Sequence, residues 1–423
     1  MRFLHAADLH LGKSIYGTSL IDSGDQTVWA ERFLETALAL KPDAVVIAGD
    51  VYDRGHPPGK ATRLLSRMVT ELAKNGIAVM MAAGNHDSVH HLSFLSPLLA
   101  ESRVYISAPL ENTTETVHVT LEDEHGPVTF WLLPYVYPAM ISQALGDEEI
   151  RDYQTAIRRI LAAQNIDFSQ RNVLVAHQNV TANGQEAERG GSESMVGGIG
   201  QVDYSVFDGF DYVALGHIHS SYPVGRETVR YAGSPLVYHF NEIRQPAKGP
   251  LLVTLGEKGG EIRMERQEIP PLHRMREIRG TYEEIRTEAL AKPLEKEYLK
   301  IVLTDTRITP EISDFLHGIA RAHESSVMEL TSDYKMFTGD ASGKDAKEIR
   351  DKPVEELFAD FYKERNGGID PTAEDLELLS FAGKLTRASE LGADAAEKAK
   401  REEKDQNARK ILDYILKQEA AQQ

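Results

Sequence analysis

Eight side chains able to hold a cation or move a proton stand directly after short apolar runs. Asp8 and His10 follow residues 2–7, Asp50 follows 44–48, and Asn85 and His86 follow 76–83. His177 follows 172–176, and His217 and His219 follow 210–215. Any one of them would pass as a polar strand end or a hydrogen-bonded structural histidine. Five separate apolar runs that each empty into a candidate ligand form a pattern that needs a common cause. The sharpest stretch is Gly84-Asn85-His86-Asp87, which offers an amide oxygen, an imidazole and a carboxylate in succession. Gly84 has no Cβ where the backbone must turn or approach a ligand closely. The chain has no cysteine, so a metal site must be built from His, Asp, Glu and Asn. Nitrogen and oxygen donors without sulfur suit Mn²⁺, Fe²⁺ or Zn²⁺ better than Ca²⁺. Asp8, His10, Asp50, Asn85, His177, His217 and His219 are too many ligands for one ion and suit two, with a carboxylate shared between them. Two ions about 3.5–4 Å apart clamp both oxygens of an in-line phosphoryl displacement, so phosphoester hydrolysis is the chemistry such a set serves best.

The elements that must position these groups follow from hydrophobic pattern. Residues 2–7, 44–48, 76–83, 172–176 and 210–215 read as buried strands. Ligands collecting at the carboxyl ends of successive strands mark an α/β fold. Alternation along an extended chain places Asp8 and His10 on one side. Helices are predicted over 26–40, with Val28, Trp29, Phe33, Ala37 and Leu40 on the buried face, and after Pro57-Pro58, with Leu64, Leu65, Met68, Val69 and Leu72 inward. A short helix over 92–100, strands near 103–107, 117–122 and 128–133, and a helix over 149–164 come next. The glycine-rich segment Thr181 to Gly200 reads as a loop beside the site. Strands at 229–236 and 251–254 complete the first domain. Pro270-Pro271 marks a boundary, after which a small β/α unit has helices near 281–291 and 310–321 and strands at 298–303 and 326–331. From Gly339 the pattern is charged and helical, with too few apolar positions over 395–420 for a core of its own, which leaves a solvated helix or a docking segment.

A length of 423 residues implies two or three domains. Hydrophobic content of 41% and charged content of 26% are those of a globular protein. The N-terminus lacks the pattern of a signal peptide, and no apolar run reaches membrane-spanning length, so a cytoplasmic protein is the expectation. The net charge of −18 argues against nonspecific adhesion to nucleic acid, although local basic patches escape such a sum.

Asp8-x-His10, Gly49-Asp50-x-x-Asp53, Gly84-Asn85-His86-Asp87, His177 and Gly216-His217-x-His219 match, in order, the motifs of the calcineurin-like metallophosphoesterases. Within that superfamily the chain resembles the SbcD family of nuclease subunits, the bacterial counterpart of the Mre-type nucleases. The supporting stretches are 50–58, Gly84 to Ser88 with 92–94, 231–236 and the β/α unit after Pro271. Gly55-His56 and Val89-His90-His91 depart from the family pattern, at positions that bear on loop contacts to substrate.

The resemblance implies an α/β/β/α sandwich over 1–270, a small α+β capping domain over 271–338 and a helical C-terminal segment over 339–423. It implies that Asp8, His10, Asp50 and His219 hold one ion, and that Asp50 bridges to a second held by Asn85, His177 and His217. His86 would contact the scissile phosphate and protonate the leaving oxygen, and Asp53 would orient His86. Asp87 is either a support for the ligands or purely structural. Mn²⁺, DNA, a homodimer within a heterotetramer, and an SbcC-like coiled-coil ATPase docked on the C-terminal helices are the implied cofactor and partners, in the nucleoid-associated cytoplasm. Lys13, Arg54, Lys60 and Arg189 are candidates for a basic rim. The leading expectation is a Mn²⁺-dependent nuclease that is a double-strand exonuclease and a single-strand or hairpin endonuclease in DNA repair and recombination. The alternatives are a small-substrate phosphodiesterase or nucleotidase and a scaffold that has lost its chemistry. The extra β/α unit and charged tail count against the first, and the complete ligand set against the second.

Overall fold

The computed structural model describes residues 1–334 except 112, 183, 185–199, 246 and 292–295, together with 359, 363, 371 and 372. Met1–Tyr334 form one compact unit and Lys335–Gln423 a second. Most of the glycine-rich segment expected as a loop, Arg189 and nearly all of the C-terminal segment expected as helical lie outside the described residues.

Two six-stranded sheets carry the first unit. In one, Arg2–Ala6, Ala44–Ala48, Ala78–Ala82 and Val104–Ile106 run parallel, and Leu251–Leu255 and Ile262–Arg266 extend the edge antiparallel. In the other, Gly126–Leu133, Arg171–His177, Tyr212–Gly216 and Arg226–Tyr231 run parallel between the antiparallel edges Val117–Asp123 and Pro223–Val224. The strands are apolar on both faces because both faces are covered. Phe3, Val46, Ala48, Met80 and Ala82 of the first sheet meet Val128, Phe130, Val173, Val175 and Ala214 of the second in one core. The alternate residues of the first sheet, among them Leu4, Val45, Ile47 and Met81, pack under Trp29, Phe33, Leu64 and Met68 of the helices Asp25–Leu40 and Gly59–Lys74. Trp131, Leu174 and Leu215 of the second sheet lie under Ile141, Ile157 and Ile160 of Pro138–Leu145 and Tyr153–Ala163. The layers are therefore α/β/β/α.

His5 stitches the two sheets. It is fully buried, with Nδ1 3.0 Å from the Tyr212 hydroxyl and Nε2 3.2 Å from the Leu215 carbonyl. A carbonyl only accepts, so Nε2 carries the proton and Nδ1 accepts from Tyr212. Burial pushes the His5 imidazole down to about 3. Phe3 closes the same seam with an edge-on contact to Phe130, centroids 5.4 Å apart. At the carboxyl end the sheets converge so tightly that a Cβ on Gly216 would lie 1.8 Å from the Ala48 carbonyl oxygen.

A third, all-parallel sheet of Arg274–Gly280, Glu297–Leu303 and Ser326–Ser332 is joined through the helices Tyr282–Ala291 and Pro310–Ala322. It has its own core of Ile278, Ile285, Leu299, Ile301, Leu303 and Leu316. Tyr298 faces the other way and donates to Asp25 at 2.5 Å, where His273 also binds the carboxylate at 3.0 Å.

Several elements differ from their sequence reading. The helix expected over 92–100 is two short ones, Val89–Leu92 and Ser96–Ala100, because Leu95 sits left-handed at φ 62° and Pro97 suits the first turn of the second. The strand expected to run to Leu236 stops at Tyr231, ahead of the left-handed Gly233 at φ 79°. Pro138–Leu145, Ile262–Arg266 and Arg274–Gly280 are additional elements. The last two alternate charged with half-buried residues at sheet edges, which gives little apolar signal.

Phe130→Ala empties the seam between the sheets and is expected to lower stability by about 3–5 kcal/mol in urea denaturation. His5 makes a second, pH-dependent contribution. The unfolded chain binds a proton at His5 near pH 6.5, while the folded chain refuses it down to about 3, so stability falls as pH falls through that window. His5→Gln keeps one donor and one acceptor and should show a shallower loss of urea midpoint between pH 7 and pH 5 than the parent. Equal slopes would remove His5 from that account.

Candidate metal centre

The loops after residues 6, 48 and 216 turn sharply. Asp8, His10, Asp50 and His217 all have positive φ, at 54°, 42°, 47° and 102°. The extended-chain reading of Asp8 and His10 is thus corrected, since the strand ends at Ala6 and the two side chains reach the centre through left-handed turns. Non-glycine residues held there carry local strain and cluster at functional sites. The loops are laced together: Asp8 N–H donates to Gly49 O at 3.1 Å, His10 N–H to Asp50 O at 2.8 Å, and His217 N–H to Asp8 Oδ1 at 2.9 Å. Asp87 is a structural tie, its carboxylate accepting from Val51, Tyr52 and Gly84 N–H at 3.0, 2.8 and 2.9 Å. Gly84 is obligatory because a Cβ there would lie 2.1 Å from Asp50 Oδ1.

The eight strand-end residues converge. Ligand atoms of Asp8, His10 and His219 lie within 4.8 Å of one another, as do those of Asp8, Asp50 and His177 and those of His10, Asp50 and His86. His10 Nε2 faces His219 Nε2 at 3.3 Å. Asp50 Oδ2 stands between two imidazoles, 3.5 Å from His10 Nε2 and 3.3 Å from His177 Nε2. Asn85 Oδ1 is 3.1 Å from His177 Nε2 and 3.2 Å from His217 Nδ1. Asp8 Oδ2 is buried with no hydrogen-bond partner among the described residues. An orphaned carboxylate oxygen and two imidazole nitrogens turned on each other are what a cation would satisfy. The donor set therefore fits divalent metal ions.

The electrostatics agree. Burial pushes the Asp8 carboxyl up to about 6, against the pull of His177 and His219. Burial works on Asp50 in the same direction, yet the His177 charge and hydrogen bond, with the His10 and His86 imidazoles around it, hold it well below the usual carboxylate range. Burial works to lower His177, but Asp50 and Asp8 push it up to about 9. Burial takes His10 down to about 4, and burial with the neighbouring His177 charge takes His217 down to about 3, so both imidazoles are neutral donors. Binding a metal displaces protons from such ligands.

His86 is half-buried, edge-on to His10 with centroids 4.8 Å apart. Its N–H donates to Asp50 Oδ1 at 2.9 Å and its Nδ1 donates to the Asp53 carbonyl at 2.9 Å, leaving Nε2 for exchange. Asp53 thus holds His86 through its main chain. Its carboxylate instead accepts from Lys13 Nζ at 2.9 Å and faces His10 Nδ1 at 3.4 Å. Burial opposes ionisation of Asp53, but His10 and Lys13 hold it well below the usual range.

Of the expected basic rim, Lys13 is drawn inward over the Tyr238 ring, 5.3 Å from its centroid. Arg54 is exposed and lies 3.9 Å from Asp53, Lys60 pairs with Asp22, and Arg189 is outside the described residues. Three contributors escaped the sequence reading. Tyr238 donates to Leu9 O at 2.8 Å beneath the His10 and His219 rings. Glu242 faces His219, and Lys248 holds both. Glu242 and Lys248 follow no apolar run, so no local pattern marks them.

Residues 1–221 match the family model of the calcineurin-like phosphoesterases, and residues 271–366 match that of the Type 5 capsule protein repressor C-terminal domain. The chain is 32% identical over 307 residues to the D subunit of the SbcCD nuclease from Staphylococcus saprophyticus, covering 72% of this chain and 78% of that one. It is 30% identical over 308 residues to the protein of the same name from Staphylococcus epidermidis, covering 72% and 79%. Motifs, layers and donor set coincide with these likenesses: the chain belongs to the calcineurin-like phosphoesterases, in the SbcD family of nuclease subunits.

Proposed function

We propose that the chain is a metal-dependent phosphodiester hydrolase acting on DNA, a Mn²⁺-dependent nuclease that works with an SbcC-like ATPase. The observation that supports this reading best is Asp50 Oδ2, shared between His10 and His177 at 3.5 and 3.3 Å. Asp8, His10, Asp50 and His219 would hold one ion, and Asp50, Asn85, His177 and His217 the other. Bound ions supply an acidified water and neutralise the charge of the phosphodiester.

The chain's own residues do the rest. His86 is fixed by the Asp53 carbonyl at Nδ1, so the proton it gives to the leaving oxygen departs from Nε2 and is replaced from solvent. Asn85 turns its amide oxygen toward His177 and His217, which leaves the NH₂ pointing elsewhere. Asp87 keeps the loops of Asp50 and Asn85 in register.

Double-strand exonuclease and hairpin endonuclease activity are part of the proposal, as is a division into a nuclease domain over 1–270, a capping domain over 271–338 and an ATPase-docking segment over 339–423. An acidic chain fits a shared grip on DNA in which the partner carries much of the positive charge. Phe94 and Leu95 between the short helices beside the His86 loop, and Leu98 on the second of them, exposed by 72%, 52% and 59%, support a homodimer within the complex. Among the described residues no helix is long and apolar enough to cross a membrane, in keeping with a cytoplasmic setting.

The test is cleavage of a linear duplex and a DNA hairpin by the full chain with Mn²⁺, with and without its ATPase partner and ATP. Cleavage should appear with Mn²⁺ and vanish with EDTA. Hydrolysis of bis-p-nitrophenyl phosphate with DNA untouched in every condition would replace the reading with a small-substrate phosphodiesterase. His86→Ala should keep both ions and lose about 10²–10⁴-fold in cleavage rate, whereas His217→Ala should lose one equivalent of bound Mn²⁺. Normal cleavage by His86→Ala would dismiss the general-acid role.

A further inference from the structure

His219 and His177, one imidazole from each proposed ion site, are backed by different groups. His219 Nδ1 lies 3.3 Å from Glu242 Oε1, and the Glu242 side chain is fully buried. The other carboxylate oxygen accepts from Tyr238 N–H at 3.2 Å and from Lys248 Nζ at 3.3 Å. Lys248 also donates to His219 O at 2.8 Å, Ser234 Oγ at 3.0 Å and Gln245 Oε1 at 2.8 Å. One lysine therefore grips both the main chain of His219 and the carboxylate that faces its ring. An ionised Glu242 only accepts, so His219 Nδ1 carries the proton and Nε2 presents its lone pair, toward His10 Nε2.

His10 has a looser counterpart, its Nδ1 facing Asp53 Oδ1 at 3.4 Å without a hydrogen bond, with Lys13 on that carboxylate at 2.9 Å. His177 is held differently: its Nδ1 donates to the neutral Ala48 carbonyl at 2.9 Å, and the carboxylate on that side, Asp8 Oδ1, lies 3.8 Å away, beyond hydrogen-bond reach. A carboxylate behind a ligand imidazole fixes its tautomer and makes it a stronger donor than a carbonyl does. A buried ion pair is a poor way to gain stability compared with apolar packing, so Glu242 and Lys248 require another role. A mere tie for the turn Phe240–Arg244 would be met by the contacts to Tyr238 and Lys248 and would not need an oxygen aimed at His219.

We propose that Glu242, anchored by Lys248, is a positioning residue for His219 and makes the ion site of Asp8, His10, Asp50 and His219 the tighter of the two. The proposal rests on the two-ion reading above. It is tested by Mn²⁺ titration of the metal-stripped full chain, with unbound Mn²⁺ read by electron paramagnetic resonance and folding read by thermal denaturation. The parent should show two classes of site. Glu242→Gln should weaken the tighter class by about 10–100-fold and leave the weaker class and the melting midpoint in place. Should loss of the Lys248–Glu242 ion pair unfold that variant, the double variant Glu242→Gln/Lys248→Gln removes both charges and should show the same selective loss. Parent-like tight binding in a folded variant would overturn the proposal, and so would loss of both classes together with a lowered midpoint. A parent that binds no Mn²⁺, or a single class, would instead bring down the two-ion reading and this inference with it.

Discussion

The approach of the two sheets at Ala48 is the constraint on which the centre depends. The Ala48 carbonyl accepts His177 Nδ1–H at 2.9 Å, and only a glycine at 216 lets the opposing strand come so near. Donors from position 8 to position 219 thereby meet in one place, each at the end of a buried strand or on the loop that leaves it. A site assembled from distant segments needs rigid elements to hold its geometry, and a doubly covered pair of sheets provides them.

That closeness has an electrostatic consequence. Asp8 and Asp50 are buried, Asp87 stands half-buried beside them, and the three cannot all ionise cheaply. Asp50 keeps its charge because His177, His10 and His86 surround it. Asp87 is pushed up to about 7 by burial and by the Asp50 charge, although three main-chain N–H groups point at it. The structure thus gives one carboxylate to the centre of the cluster and uses its neighbour to hold two loops together.

The strands and the residues at their ends were legible in the sequence because apolar runs covered on both faces stand out and their polar ends are abrupt. The outer helices Asp25–Leu40 and Gly59–Lys74 were legible from their apolar spacing. The route by which Asp8 and His10 reach the centre was not, since left-handed turns override alternation. Glu242 and Lys248 were hidden for a different reason. They act across 23 and 29 residues on His219 from a turn and a loop with no periodic pattern, and only tertiary structure joins them.

Asp53 shows why residue identity alone misleads about roles. Any residue at 53 would offer the carbonyl that fixes His86, so the aspartate is not selected by that contact. What the carboxylate adds is an acceptor for Lys13 and a negative charge beside His10 Nδ1. One residue therefore serves two imidazoles by two chemistries, with its main chain turned to a proton donor and its side chain to a ligand. The loop between Asp50 and Asp53 couples the two: a shift that moved the carbonyl away from His86 would also move the carboxylate that backs His10. Proton transfer and ligand orientation are in this way tied to the placement of a single short turn.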